Sequence, residues 1–183
     1  MLKLVKAKDV RFDGVKEYYD SFENKNELNS MVLGYVKDGE EAYVKMRNSW
    51  GKLMYYLIDE DNPDYIIGIG DIEDSGVYNF HEDYLNFGHI SYGVRPNERN
   101  KGYGKAILKL LLEKCEERGM GEVCVSCKKD NIASKKVILG NKGKFEKEFF
   151  SDESGQCLKF WIKLRPGIYN RMRRIVNIAN KKL

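Results

Sequence analysis

The stretch Gly88-His-Ile-Ser-Tyr-Gly-Val-Arg-Pro-Asn-Glu-Arg-Asn-Lys-Gly-Tyr-Gly104 carries the most informative pattern in this 183-residue sequence. Its first half is typical of a buried strand that stops at Pro96, because the residue before a proline avoids helical geometry. Its second half opens an amphipathic helix predicted over residues 102–118. A glycine-rich turn at a helix start offers free backbone N–H groups at the positive end of the helix dipole. The stretch therefore predicts a site for phosphate oxygens.

Strands and helices alternate around this turn. Before it, the patterns predict a strand at Leu2–Lys6, a helix capped by Asp9 or Asp13 and running to about Phe22, a hairpin of Leu53–Ile58 with Tyr65–Ile72, and a strand at Phe87–Val94. After it, they predict strands at residues 122–127, 145–149 and 157–164 and a helix at residues 131–139. Residues 30–43 fit either a strand or an irregular segment followed by a short helix. A strand, helix and strand in this order predict a right-handed crossover between parallel neighbours.

The expected fold class is α/β, with an α+β mixed sheet, antiparallel N-terminal strands and one parallel β-α-β crossover. Length and composition, with 42% hydrophobic and 33% charged residues, fit a single domain over residues 1–165. No apolar run approaches the roughly 18–20 residues that a membrane span needs, and the first residues lack the pattern of a secretory signal. We therefore expect a soluble, cytoplasmic protein.

Residues 166–183 form a basic amphipathic tail. From Arg165 onward the chain has no acid and six basic residues: Arg165, Arg171, Arg173, Arg174, Lys181 and Lys182. The rest of the chain is slightly acidic, which disfavours a nucleic-acid-binding module. The tail could dock on its own domain or on a second subunit, giving a homodimer, or contact an anionic membrane or nucleic acid. We favour docking and expect neither a membrane nor a nucleic acid as partner.

The spacing Cys124-Val-Ser-Cys127 raises the question of a metal or redox site. The pair lies in a predicted strand, where residues three apart point to opposite faces. One site could not easily use both thiols, so we expect packed cysteines and no metal.

Other phosphate motifs do not fit residues 99–105. A P-loop needs Ser or Thr after Gly104-Lys105, where this chain has Ala106. A dinucleotide fingerprint needs a third glycine at position 107, which is Ile107.

The remaining pattern is Arg99-x-x-Gly102-x-Gly104 behind the strand end Val94-Arg-Pro96. It resembles the GNAT superfamily of coenzyme A-dependent N-acetyltransferases. The resemblance is closest over residues 88–104 and extends through Asn131-Ile-Ala-Ser134 to about residue 149. Within the superfamily, the sequence is similar to a bacterial subgroup of predicted acetyltransferases with a Gly-His-Ile-x-Tyr strand. It implies an acyl-CoA N-acyltransferase fold and transfer of the acetyl group of acetyl-CoA to a primary amine by direct attack.

The resemblance also implies site residues. A bulge would splay the strand from its neighbour, so that the pantetheine arm pairs with backbone near Val94. Asn131 would face that arm with Ser134 beside it, although Asn131 is equally explained as a helix N-cap. The pyrophosphate would be held by the turn residues Arg99, Asn100, Lys101, Gly102, Tyr103, Gly104 and Lys105.

One family feature is missing. Many members place a tyrosine seven residues after the asparagine to protonate the departing thiolate, and this chain has Ile138 there. A non-catalytic sensor that binds coenzyme A is therefore the alternative to an enzyme.

The acetyl acceptor and the general base stay open in the sequence. A small molecule, a peptide or a protein N-terminus could supply the amine. His89 or Glu82 could take the amine proton through water, since histidine titrates near neutral pH and Glu82 belongs to a loop beside the expected cleft. His89 is also explained as a structural histidine in a sheet.

Overall fold

The computed structural model describes residues 1–28, 31–49, 53–73, 86, 88–152 and 154–165. The strands in these ranges are β1 (Leu2–Lys6), β2 (Met54–Asp59), β3 (Asn62–Ile72), β4 (Ile90–Val94), β5 (Glu122–Lys128), β6 (Lys144–Ser151) and β7 (Gly155–Lys163). The α-helices are α1 (Phe12–Asp20), α2 (Glu40–Ser49), α3 (Tyr103–Glu117) and α4 (Ile132–Gly140). Short 3-10 helices cover Ala7–Asp9, Lys25–Glu27, Met31–Asp38 and Pro96–Glu98.

The strands form two antiparallel sheets. The first has the order β1-β2-β3-β4 and the second the order β5-β7-β6. The mixed α/β class and the antiparallel N-terminal strands are confirmed. Helix α3 carries the chain from β4 across to β5, but the predicted parallel pair is not seen in the described residues, where every strand pairing is antiparallel and β4 and β5 lie in different sheets.

Both faces of the first sheet are covered, which explains why β2 is apolar without alternation. One core lies between the sheets and α3, and it includes Leu57, Ile107 and Phe160. The other lies between the first sheet and the helices α1 and α2, and it includes Tyr18 and Tyr56. Apolar burial on both faces is the main favourable term that fixes the sheet between its helices.

Two glycines of β3 let α3 approach the first sheet closely. A Cβ atom at Gly68 would collide with Ile107, and one at Gly70 would collide with Leu111. Because the helix lies so close to β3, its N-terminus is fixed beside the end of β4. This places the glycine-rich turn at the edge of the sheet.

Several predicted boundaries change. Helix α1 begins after Arg11, which makes no side-chain capping bond, so the prediction of a cap by Asp9 or Asp13 is wrong. Asp9 belongs to the preceding 3-10 helix, and Asp13 lies within the first turn of α1. Residues 31–49 follow the second alternative, an irregular segment and a helix.

The predicted strand over residues 87–94 is shorter, because Gly88 has a left-handed φ of 94° and β4 starts at Ile90.

Some predictions fall on residues outside the described ranges, namely Glu82 and the tail at residues 166–183. In the described part of the chain, no helix combines the length and apolar character that membrane crossing requires.

Candidate active site

The facing edges of the two sheets pair at one point in the described residues, just before β4. An isolated bridge joins Gly88 to Val125. Next to it, His89 N–H donates to the Cys124 carbonyl oxygen at 2.7 Å. Beyond this contact β4 pairs with β3 and β5 pairs with β7, so the facing edges of the two sheets form no ladder. A gap therefore opens between the sheets toward Val94.

The backbone of β4 alternates between bonding to β3 and facing this gap. At its two ends, Arg95 N–H donates to Ile67 O at 2.9 Å and Glu73 N–H donates to His89 O at 2.8 Å. Opposite pairs in an antiparallel ladder alternate between bonded and non-bonded types. In this register, residues 89, 91, 93 and 95 bond to β3, whereas Tyr92 and Val94 direct their N–H and C=O groups away from it. An extended chain with amide groups could pair with that edge.

The gap leads to the turn before α3. Gly102 is the N-cap residue in the left-handed region with φ of 87°, and no side chain caps the helix. Asn100, on the exposed side of the same turn, also has a positive φ of 64°. The N–H groups at a helix start lack intrahelical acceptors, so those around Tyr103 are available to an anion. Space above Gly102 is open, since an added Cβ would meet no atom within 4 Å.

Gly104 lies in the first turn of α3 and faces both β4 and α4. A Cβ atom there would lie 3.4 Å from Val137, 3.8 Å from Val94 and 4.0 Å from Tyr92. These are ordinary contact distances, so alanine fits the space and a larger side chain would fill it.

Two of the predicted phosphate-binding cations are held by carboxylates. Arg99 pairs with Glu27 at 2.7 Å, with 43% and 45% of the two side chains exposed. Its Nε also donates to the Val94 carbonyl oxygen at 3.4 Å. Lys101 donates to Glu98 at 3.0 Å, and this bond raises the pKa of Lys101 and lowers that of Glu98. The Arg99–Glu27 pair is exposed and therefore weak, so a phosphate could displace Glu27 from Arg99.

The third cation, Lys105, extends from the first turn of α3 along Gly140 at the end of α4.

Asn131 and Ser134 lie together at the start of α4. The Asn131 side chain accepts a bond from Ser134 N–H at 3.0 Å, which is the N-cap arrangement. The Ser134 hydroxyl lies 2.8 Å from the Tyr92 hydroxyl of β4. Burial raises the pKa of Tyr92 to about 12. Tyr92 was missed by the sequence reasoning, although its position two residues before Val94 on the same strand signals the same face.

His89 connects the two sheets. Its Nδ1 accepts a bond from Cys124 N–H at 2.8 Å, and its ring packs against Trp161. A nitrogen that accepts this bond can take a proton only by losing it. The geometry therefore favours the structural interpretation of His89 that the sequence left open.

Glu73, which follows β3, lies next to His89 through the backbone bond, and partial burial raises the pKa of its carboxyl. Glu82 lies outside the described residues.

The cysteines of the CxxC spacing are buried. Cys127 belongs to the core beneath α3 with Val123 and Val125, whereas the Cys124 thiol lies near Lys159 and Glu146, so the two point to opposite faces as predicted. Burial raises the pKa of both thiols. In the described ranges, no group of three or more His, Cys, Asp or Glu residues could hold a metal ion.

Comparison with known proteins gives one family. A family model described as the acetyltransferase (GNAT) family matches residues 18–140. No curated protein sequence matches the chain significantly.

Three solved structures illustrate the structural likeness. RimL, a ribosomal L7/L12 alpha-N-protein acetyltransferase in complex with coenzyme A, has a TM-score of 0.66 at 16% identity, covering 90% of this chain and 95% of its own. YncA from Salmonella typhimurium with its cofactor acetyl-CoA has a TM-score of 0.59 at 13% identity, covering 91% and 96%. Ribosomal-protein-alanine N-acetyltransferase from Brucella melitensis has a TM-score of 0.62 at 17% identity, covering 90% and 99%. At these identities the likeness shows a shared fold.

Proposed function

Because the chain belongs to the GNAT family of acetyltransferases, we propose that it transfers the acetyl group of acetyl-CoA to a primary amine. The observation that carries this proposal is the edge of β4 that leads directly into the turn before α3. Amide-pairing backbone and phosphate-binding N–H groups then follow one another along a single path, in the order that a pantetheine arm and its pyrophosphate require.

The residues along this path fit the cofactor. The turn N–H groups around Gly102 and Gly104 would hold the pyrophosphate, helped by Arg99, Lys101 and Lys105. The backbone of Val94 would pair with an amide of the arm. On the opposite side, Asn131 and Ser134 would line the arm. Acetyl-CoA itself supplies an activated thioester, and the chain orients it for attack by an amine.

The acceptor class to test first is the amine of a peptide or protein. Two of the similar structures are named as acetyltransferases of ribosomal proteins, which supports this choice. A small-molecule amine is the other class. The base that deprotonates the amine stays a prediction between His89 and Glu82, and His89 would have to give up its bond to Cys124.

The sensor alternative has one observation in its favour. Ile138 replaces the tyrosine of many family members, and its side chain is fully buried in the core. This position cannot supply a proton, so catalysis needs another acid or none.

Thermal denaturation with and without acetyl-CoA, followed by an acceptor panel with detection of free coenzyme A, tests the proposal. We expect a higher Tm with the cofactor and release of coenzyme A with at least one amine. Stabilisation without release by any acceptor would favour the sensor. No stabilisation at millimolar ligand, together with no heat in calorimetry, would overturn both functions.

A further inference from the structure

The missing tyrosine at Ile138 raises the question of which group meets the coenzyme A sulfur. The side chain that contacts the sulfur has to lie beside the cofactor path and carry an exchangeable proton. Ile138 itself points into the core beneath α3. The candidates for this side chain in the described residues therefore lie on β4 and on the first turn of α4.

Tyr92 meets both conditions. It shares with Val94 the backbone orientation toward the gap, and its ring lies 4.0 Å from the position of a Cβ at Gly104. A pantetheine arm that runs from the turn toward the start of β4 pairs first with Val94. Two residues further along the strand it reaches Tyr92. This order places Tyr92 toward the thiol end of the arm, away from the pyrophosphate.

The Tyr92 hydroxyl is positioned by α4. It lies 2.8 Å from the Ser134 hydroxyl and 3.4 Å from the Ser134 carbonyl oxygen. Ser134 is in turn fixed by the bond from its N–H to the Asn131 cap. The phenol thus has a hydrogen-bonded neighbour through which its proton can be exchanged with solvent near the exposed helix start.

The Tyr92 phenol is protonated at neutral pH, since tyrosine titrates near pH 10 and burial raises the pKa of Tyr92 further, to about 12. Cys127 lies near the same serine, and burial raises its pKa as well. A neutral phenol can donate a hydrogen bond to a sulfur that is gaining negative charge.

We infer that the Tyr92 hydroxyl contacts the sulfur of coenzyme A and donates the proton that the departing thiolate takes up. This assignment rests on the proposed acetyl transfer and names the acid for it. Tyr92 on β4 then performs the task that many relatives give to a tyrosine at the position of Ile138 on α4.

The step balances without a further reactant. The amine nitrogen forms a bond to the carbonyl carbon, and the carbon–sulfur bond breaks with its electron pair on sulfur. Sulfur takes the proton of Tyr92, and the phenolate regains a proton through Ser134 from solvent. The nitrogen loses one proton to solvent, so the products are an amide and a free thiol.

The binding test compares coenzyme A with desulfo-coenzyme A, which lacks the thiol, by calorimetry on the full chain. We expect wild type to bind coenzyme A several-fold more tightly, since a hydrogen bond contributes roughly fivefold to affinity. Tyr92→Phe should reduce this preference to about one. Tyr43→Phe is the matched control, because it removes a phenol hydroxyl that is bonded to another hydroxyl, that of Tyr56, in the core on the other face of the first sheet, so it should retain the preference. Equal preferences in wild type and Y92F would overturn the contact.

The kinetic test uses the acceptor found with the wild-type protein. Y92F should lower kcat by roughly 100-fold, a typical contribution of a general acid, with KM for acetyl-CoA changed less than about threefold. The control Tyr43→Phe should lower kcat much less, because Tyr43 lies in the other core. Equal losses in Y92F and Y43F would ascribe the effect to the loss of any buried phenol hydroxyl and overturn the inference. A wild-type protein that binds coenzyme A but transfers no acetyl group would instead overturn the proposed function, and the acid role with it.

Discussion

A side chain at Gly104 would point between β4 and α4, toward Val94 and Val137. Its replacement by valine should block the cofactor path, because the added methyl groups would overpack the contact with Val137 and Val94. If a cost of about 1–3 kcal/mol falls on binding, Kd for coenzyme A should rise about five- to 150-fold. Calorimetry measures this, with circular dichroism to verify the fold.

Gly104→Ala is the matched control. Its Cβ makes only ordinary contacts at 3.4 Å or more, so binding should stay within about threefold of wild type. Full affinity in Gly104→Val would contradict the path and the site with it.

His89 offers a second test, because two substitutions separate its structural role from a catalytic one. Asparagine places an acceptor oxygen near the position of Nδ1, so His89→Asn should keep the bond from Cys124 N–H. Alanine leaves that buried N–H without its acceptor and should cost about 1–3 kcal/mol of unfolding free energy. Chemical denaturation measures the difference.

The same two substitutions, His89→Asn and His89→Ala, test whether His89 acts in catalysis. If the bond to Cys124 is its function, H89N should keep kcat and the pH dependence of wild type. A folded H89N protein that has lost 100-fold or more in kcat would instead support His89 as the base.

Site residues differed in how far the sequence could define them. The prediction of Gly102 and Gly104 as phosphate-binding residues came from a local pattern, a glycine turn ahead of an amphipathic helix. Tyr92 and the partner of Arg99 did not follow, because both depend on contacts between distant segments. Glu27, for example, is 72 positions from Arg99 in the chain.

At the scale of elements, the ion pair of Glu27 and Arg99 ties the 3-10 helix Lys25–Glu27 to the turn before α3. The carboxylate competes with phosphate for the same guanidinium. Glu27→Gln should therefore tighten coenzyme A binding by about two- to fivefold at low salt, an effect on the scale of an exposed ion pair. The gain should shrink at high salt because of screening.

Glu113→Gln serves as the control for Glu27→Gln. It removes the same charge from the pair with Lys109 further along α3, at a distance from the turn. Equal affinities of the two variants would show that overall charge, and not release of Arg99, sets the effect.

Element prediction succeeded where periodicity was strong. Helix α3 was predicted over residues 102–118 and spans Tyr103–Glu117, since five apolar positions define its buried face. The division into two sheets could not be predicted, because it depends on how β4 and β5 separate after the Gly88 bridge. Residues 31–38 stayed ambiguous, since a 3-10 helix has no period that distinguishes it from a strand in so short a segment.

At the scale of the whole molecule, the sequence defined the family and the fold class but not the surroundings of the site. The domain limits of residues 1–165 and the docking role of the tail at residues 166–183 stay predictions. Removal of residues 167–183 and measurement of the oligomeric state would test the homodimer, because loss of the dimer is expected only if the tail forms the interface.

Hydrogen exchange locates the cofactor on the whole chain. A bound ligand stabilises the fold by an amount that depends on its concentration over Kd, about 2.7 kcal/mol at 100 times Kd. Amides that exchange only through global unfolding therefore exchange more slowly throughout the protein, by the factor that corresponds to this free energy. Those of an exposed turn exchange locally and slow only where the ligand touches them. Saturating acetyl-CoA should therefore slow local exchange over residues 99–104 and at the start of α4.

The groove between β1 and the C-terminal end of α3 provides the internal comparison. It is lined by Lys3, Lys6 and Lys114 together with the carboxylates Asp9 and Glu117, and its excess of cations makes it a rival place for an anionic ligand. Local exchange there should stay the same with and without acetyl-CoA. A rise in Tm with slower exchange beside β1 and an unchanged turn would place the cofactor in this groove. That result would remove the physical basis for the β4 path, because charge alone would then explain binding.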